Sequence, residues 1–235
     1  MKTTYIYHHL GLGDHIICNG LVRKLIKLYQ IDEPHIAVTP QNLESVKFMY
    51  RDINGVKYLS GQYHQIDNFI SKNNLTHPSL LKIGFDHLRS LQKDPNNVLT
   101  WDEIFYKQYE IDFNIRWEGF KFNRDKEREN NLYNILNPDN QEYILIHKNG
   151  SSGGDRIVYE SLRTDIKRIF VEPITPIIFD YCKLIENAKE IHAVDSCFHL
   201  LADSISTNSK LFHHDLKYCR NPEEPHRTKN NWIKI

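Results

Sequence analysis

Three short stretches carry residue types able to do chemistry on a charged, hydroxyl-bearing substrate: Gly11-Leu12-Gly13-Asp14, the loop of residues 149–156, and Asp195-Ser196-Cys197-Phe198-His199. In the first, a carboxylate follows a glycine turn, and a carboxylate facing a ligand can take a proton from a hydroxyl. Asp14 suits equally well the N-cap of a following helix, where it would accept backbone N–H bonds. No third glycine completes a GxGxxG spacing, so a dinucleotide fingerprint is not supported. In the second stretch, glycines, the hydroxyls of Ser151 and Ser152 and the cation Arg156 could cradle a phosphate with backbone N–H groups and balance its charge. No Gly-Lys-Ser or Gly-Lys-Thr ends it, so it is not a P-loop, and a plain polar loop is the other reading. In the third, Asp195 and Ser196 stand where a strand gives way to a helix, and free N–H groups there favour a phosphate or a sugar hydroxyl. Asp195 also reads as a simple N-cap, and His199, one turn into the helix, as a packed histidine.

These stretches need elements that place them at strand ends. TYIYHHL before Gly11 is a β-branched and aromatic run, and Ile17, Leu21, Leu25 and Leu28 after it recur at helical spacing. The alternation continues with a strand at 35–40, a helix at 41–52 and a strand at 56–61, then a strand at 80–85 and a helix at 100–110 capped by Thr100. Residues 121–131 are almost devoid of apolar side chains and read as an interdomain linker or an exposed helix. Beyond Pro138 the pattern restarts: strand 143–148, glycine loop, strand 168–173. A helix opened by Thr175-Pro176 should bury Ile177, Ile178, Tyr181, Leu184 and Ile185, and strand 191–194 leads to a helix carrying Leu201, Ala202 and Ile205. KLFHH, 210–214, reads as the last strand. Strands alternating with helices predict parallel α/β sheets, and the restart predicts two doubly wound lobes facing each other across a cleft.

Composition narrows the function classes. Thirty Lys and Arg balance thirty Asp and Glu, so no global positive field exists for nucleic acid or an anionic membrane, and no nucleic-acid partner is expected. With 40% hydrophobic residues the chain can bury a core. No run of 18 apolar residues and no leader-like N-terminus occur, so no transmembrane segment is expected. Cys18, Cys182, Cys197 and Cys219 have no CxxC pairing, and reduced thiols in a cytoplasmic compartment fit best.

Strand–GLGD–helix near the start together with Asp195-Ser196-Cys197-Phe198-His199-Leu200-Leu201-Ala202 near the end resembles glycosyltransferase family 9, the lipopolysaccharide heptosyltransferases. The family has a Gly-Asp turn after its first strand and an Asp-Ser/Thr-Gly motif running into His-Leu-Ala in its C-terminal lobe. Between them it has two adjacent hydroxyl residues followed four positions later by a lysine, a spacing that Ser151, Ser152 and Arg156 match with arginine for lysine. Cys197 stands in place of the motif glycine.

The resemblance implies the GT-B fold: two Rossmann-like lobes, residues 1–120 on the acceptor side and 121–235 on the donor side. It implies transfer, with inversion and without a metal or other cofactor, of a hexosyl or heptosyl group from a nucleotide-diphosphate sugar to a hydroxyl of a carbohydrate or glycan. Asp14 then resembles the general base, and Gly13, Ser151, Ser152, Arg156, Asp195, Ser196 and His199 the donor-binding residues. Two other readings stay open on the residues alone. One is a nucleotide or nucleotide-sugar binding protein without transfer activity. The other is a metal-dependent hydrolase built on His8, His9, His15, His213 and His214, although no HExxH spacing is present.

Overall fold

The computed structural model describes residues 3–85, 99–150, 154–214 and 227–235. The chain divides into two compact units, Met1–Asn123 and Arg124–Ile235, and each is a Rossmann-like α/β layer.

In the first unit, strands β1 (Thr3–Tyr7), β2 (Glu33–Val38), β3 (Lys57–Ser60) and β4 (Leu80–Lys82) form a parallel sheet in the order β3-β2-β1-β4. Helices α1 (Leu12–Leu28), α2 (Leu43–Tyr50) and α3 (Tyr63–Lys72) follow the first three strands, and α4 (Trp101–Lys107) and α5 (Ile115–Glu118) complete the unit. The chain builds outward from β1 to β3 and then returns to β1's other edge with β4. That reversal creates a crevice at the carboxyl ends of β1 and β4, the place where open α/β sheets bind ligands.

Two close contacts hold α1 in place. A Cβ on Gly20 would lie 2.1 Å from the Ile115 carbonyl oxygen, and one on Gly119 would lie 3.0 Å from the Gly20 Cα, so the helix and the 115–119 turn meet backbone to backbone. Arg23, also on α1, forms a fork with both carboxylate oxygens of Asp52 at 2.9 and 2.8 Å and donates to the Met49 and Lys121 carbonyls. Planar, bidentate geometry of this kind is the strong form of the ion pair.

In the second unit, β5 (Tyr143–His147), β6 (Lys167–Phe170), β7 (Glu190–Val194), β8 (Lys210–His214) and β9 (Trp232–Lys234) form a parallel sheet in the order β6-β5-β7-β8-β9. Strands β5 and β7 are buried almost throughout, as strands covered on both faces must be. Helices α6 (Lys126–Leu136), α7 (Cys182–Asn187) and α8 (Cys197–Ser204) pack around it. The order reverses between β5 and β7, which places this unit's crevice at their carboxyl ends.

The charged stretch at 121–131, expected as an interdomain linker or an exposed helix, holds both the division between the units and the start of α6: Asp125 caps the helix, and within it Glu129 is buried where Arg124 pairs with it. Two expectations need correction. Thr175-Pro176 does not open a helix. The Thr175 hydroxyl instead accepts from the Ile177 N–H and bonds Asp180, a 3₁₀ turn covers Ile178–Tyr181, and α7 begins only at Cys182, so Phe179 is buried where Ile177 and Ile178 were expected. KLFHH is not the last strand. Trp232–Lys234 adds β9, drawn in by Asp203 of α8, whose carboxylate accepts from the Lys229 and Asn230 N–H groups and from the Trp232 indole at 3.0 Å. Among the described residues, no helix is long and apolar enough to cross a membrane.

Candidate functional site

In the first unit the residues between β1 and α1 are pinned from two sides. The Leu10 N–H donates to the Tyr63 hydroxyl at 2.8 Å, and the Leu10 carbonyl accepts from the Asn42 side chain at 2.9 Å. Neither partner was expected from the sequence; both sit just past a neighbouring strand, where they can reach over the carboxyl edge of the sheet. Gly11, not Asp14, is the N-cap of α1, and Asp14 stands three residues further on, in the first turn. A Cβ on Gly11 would come within 2.5 Å of Asp14 Oδ2, so the glycine is what gives the carboxylate its room. Asp14 is half-buried and Gly13 beside it likewise. Its negative charge reaches Tyr63, whose hydroxyl is held above the usual tyrosine range chiefly by burial and in part by Asp14. Asp14 thus sits at the first crevice, at the positive end of a 17-residue helix.

In the second unit the glycine loop and the strand–helix turn come together. An isolated bridge pairs Asn149 with Asp155, and the Arg156 N–H donates to the Lys148 carbonyl, so the described ends of the loop close on each other. Gly154, at φ +84°, occupies the left-handed region that glycine tolerates. A Cβ on Gly150 would lie 2.9 Å from the Asp195 carbonyl oxygen. Arg156, Asp195 and Ser196 are half-buried. Ser151 and Ser152 lie outside the described residues.

Ser196, rather than Asp195, is the N-cap of α8: its hydroxyl accepts from the His199 N–H at 3.2 Å and donates to the Val194 carbonyl. The same oxygen lies 3.2 Å from Nδ1 of His147, a residue the sequence reading missed although it ends β5 immediately before the glycine loop. Burial against Phe198, on which its ring stacks at 5.1 Å, pushes His147 down to about 4, so it is a neutral hydrogen-bonding group at neutral pH. Cys197, the next residue, has its thiol pushed up to about 11 by burial and is no nucleophile at neutral pH. His199 is buried, stacked on His213 at 4.3 Å with Trp232 edge-on to it.

A buried chain of hydrogen bonds supports the segment that follows the loop. Val158 N–H donates to Nδ1 of His214, which leaves the His214 proton on Nε2 to be donated to His192 Nδ1 at 2.9 Å. His192 then donates from Nε2 to Glu190 at 3.4 Å. One backbone amide therefore fixes the tautomer of both histidines.

Four of the five histidines of the hydrolase reading, His8, His9, His15 and His214, are packed or hydrogen-bonded elsewhere. His8 and His15 are fully buried and packed edge to face at 4.3 Å; burial pushes His8 to about 4 and His15 well below its ordinary value. His9 stacks on Phe85. Among the described residues, the group of three whose ligand atoms could meet on a metal ion is Asp195, His199 and His213.

Compared by sequence, the chain matches no family model and no curated protein. Compared by structure, it is similar to the glycosyl transferase family 9 protein from Veillonella parvula DSM 2008, with a TM-score of 0.54 and 9% identity over 99% of this chain and 86% of that one. It is also similar to ADP-heptose lps heptosyltransferase II of E. coli, with a TM-score of 0.50 and 11% identity over 91% of this chain and 84% of that one. The fold is thus that of these glycosyltransferases, two Rossmann-like units of the GT-B kind, as the resemblance in the sequence implied.

Proposed function

We propose that the chain is a glycosyltransferase that moves a sugar from a nucleotide-diphosphate donor to a hydroxyl of a carbohydrate or glycan acceptor, with inversion. The observation that carries this reading is the meeting of Gly150 with Asp195 at the β5/β7 switch point, within a fold shared with family 9 glycosyltransferases. Gly150 of the glycine loop lies against the strand–helix turn that leads into α8, which supports a ligand held by both.

In this reading the donor's diphosphate lies against the 149–156 loop and the Ser196 turn. As the bond between sugar and phosphate breaks, negative charge grows on the leaving diphosphate. Arg156, the loop amides and the free N–H groups of α8 stabilise that charge more in the transition state than in the ground state, without calling on a metal ion. The Ser196 hydroxyl, tied to Val194, His199 and His147, would hold the turn so that the first N–H groups of α8 face a phosphate oxygen. On the acceptor side Asp14 would remove the hydroxyl proton as the hydroxyl attacks the anomeric carbon.

The test is calorimetry with a panel of nucleoside diphosphates and their sugar conjugates, on the wild type and on Arg156→Ala. A nucleotide that binds the wild type should bind the variant about 1.5–3 kcal/mol more weakly, the range for a hydrogen bond to a charged group. Equal affinities would remove Arg156 from the donor site, and no binding by any nucleotide would overturn the reading.

A further inference from the structure

We propose that His214, acting together with His192 and Glu190, is a positioning residue of the donor site, because it anchors the stretch of backbone that carries Arg156. The proposal rests on the donor reading given above. A connection between parallel strands is usually helical, and a helix lays an apolar stripe on the sheet. Between β5 and β6 the described residues 154–166 contain a 3₁₀ turn at Tyr159–Ser161 instead. They contribute two buried apolar side chains, Ile157 and Leu162, against Ile144, Ile146 and Val194. The other attachment is polar. Glu190, His192 and Val194 alternate along β7 and so share one face, with Ile144 and Ile146 of β5 beside the first two and His214 of β8 beside Val194. Along that face runs the chain from the Val158 N–H to His214, His192 and Glu190. Its far end returns to the same stretch, where Arg163 stands 3.8 Å from the other Glu190 oxygen.

Arg156 lies between two fixed points. Its own N–H donates to the Lys148 carbonyl at 3.3 Å, just past β5, and the Val158 N–H, two residues on, donates to His214 at 3.1 Å, at the end of β8. Strand β7 lies between β5 and β8, so residues 156–158 cross its carboxyl end, where the Ser196 turn begins. The far anchor depends on one proton. Nδ1 of His214 accepts from Val158 only while the ring proton sits on Nε2, in the hydrogen bond to His192. Without His192 that proton is at liberty to move to Nδ1, where it would meet the amide proton head-on. The two histidines and Glu190 therefore hold the backbone on which Arg156 is carried, and act on a ligand through it.

The experiment begins on the full wild-type chain without ligand. Ring-nitrogen NMR should find His214 and His192 both protonated on Nε2, and the Val158 amide slow to exchange although it lies in an irregular segment. Calorimetry with nucleoside diphosphates then compares His214→Phe, which removes the acceptor, with His214→Asn, whose Oδ1 can take the place of Nδ1. The phenylalanine variant should bind roughly 2–30-fold more weakly, the range for residues that act on a ligand they do not touch, and asparagine should restore most of the affinity. In the Arg156→Ala background His214→Phe should cause little further loss, since the side chain it positions is gone. His192→Phe keeps the Val158 acceptor but releases its tautomer; it should give a smaller loss, and it supplies the test if His214→Phe fails to fold. An Nδ1–H tautomer at His214, a fast-exchanging Val158 amide, or losses that add to that of Arg156→Ala would overturn the positioning role while nucleotide binding stands. A wild type that binds no nucleotide would overturn the donor reading itself, and the proposal with it.

Discussion

Gly150 and Asp195 approach so closely that the smallest side chain on the glycine would collide with the Asp195 carbonyl, at 2.9 Å. The neighbour is backbone at the end of a fully buried strand and cannot swing aside. Gly150→Ala must therefore move the loop itself. We expect a loss of about 1–3 kcal/mol in stability, the usual cost of overpacking, with a larger proportional loss in nucleotide affinity. Urea unfolding and calorimetry on the same variant check both; unchanged nucleotide affinity would mean that the loop's position does not matter to the ligand.

The stability of the chain should fall on acidification well before the carboxylates titrate. His8, His147 and His214 are each held to about 4 in the folded state, in every case chiefly by burial, against about 6.5 in an unfolded chain. Between those values the unfolded state binds protons that the folded state refuses. The stabilisation is thus complete above about pH 6.5 and is lost as the pH falls toward 4, by up to about 1.4 kcal/mol per pH unit for each histidine. Urea midpoints at pH 7.5 and pH 5 decide it, the lower one being expected at pH 5.

Arg116 and Asp102 make a buried ion pair, at 2% and 0% side-chain exposure, between α5 and α4. Removing one partner strands a charge away from water, so Arg116→Met should cost about 3–5 kcal/mol. The double variant Arg116→Met/Asp102→Leu should recover much of that loss, because neither charge then remains. Denaturant unfolding of the single and double variants measures the coupling, and additive losses would show that the pair is not what Arg116 contributes.

The sequence makes the strands and the two glycine turns legible because parallel strands are short apolar runs and glycine marks the turns between them. What escaped it has a common cause. β9 is only three residues long and is drawn in by Asp203 from another element. His147 looks like an ordinary strand residue until the fold sets Ser196 beside it. The cap positions were each misplaced, Gly11 for Asp14 and Ser196 for Asp195, because Asp, Ser and Gly all suit N-caps and only the backbone geometry chooses between them. The Thr175-Pro176 signal was outweighed by Asp180, which bonds Thr175 and also takes a fork from Arg128 at 2.9 and 2.7 Å.

Asp14→Asn separates the two roles open to Asp14. Gly11 is the N-cap of α1, so Asp14 is not; its charge in the first turn adds about 0.3–1 kcal/mol through the helix dipole. Asparagine has nearly the size of aspartate, so it should fit the space over Gly11 and leave the chain folded. It cannot accept the acceptor's proton. If Asp14 is the base, turnover should fall by roughly 10²–10⁴-fold while donor affinity stays nearly constant, the signature of an interaction made only in the transition state. The pH dependence adds an independent check: an ionised carboxylate base gives the wild type an acid limb in its rate profile, and the asparagine variant should lose that limb. The measurement is the initial rate of nucleotide release with a competent acceptor, across pH, beside calorimetry of the donor for both proteins. Full activity with asparagine at position 14 would assign the base elsewhere, and a collapse of donor affinity would make Asp14 a binding residue instead.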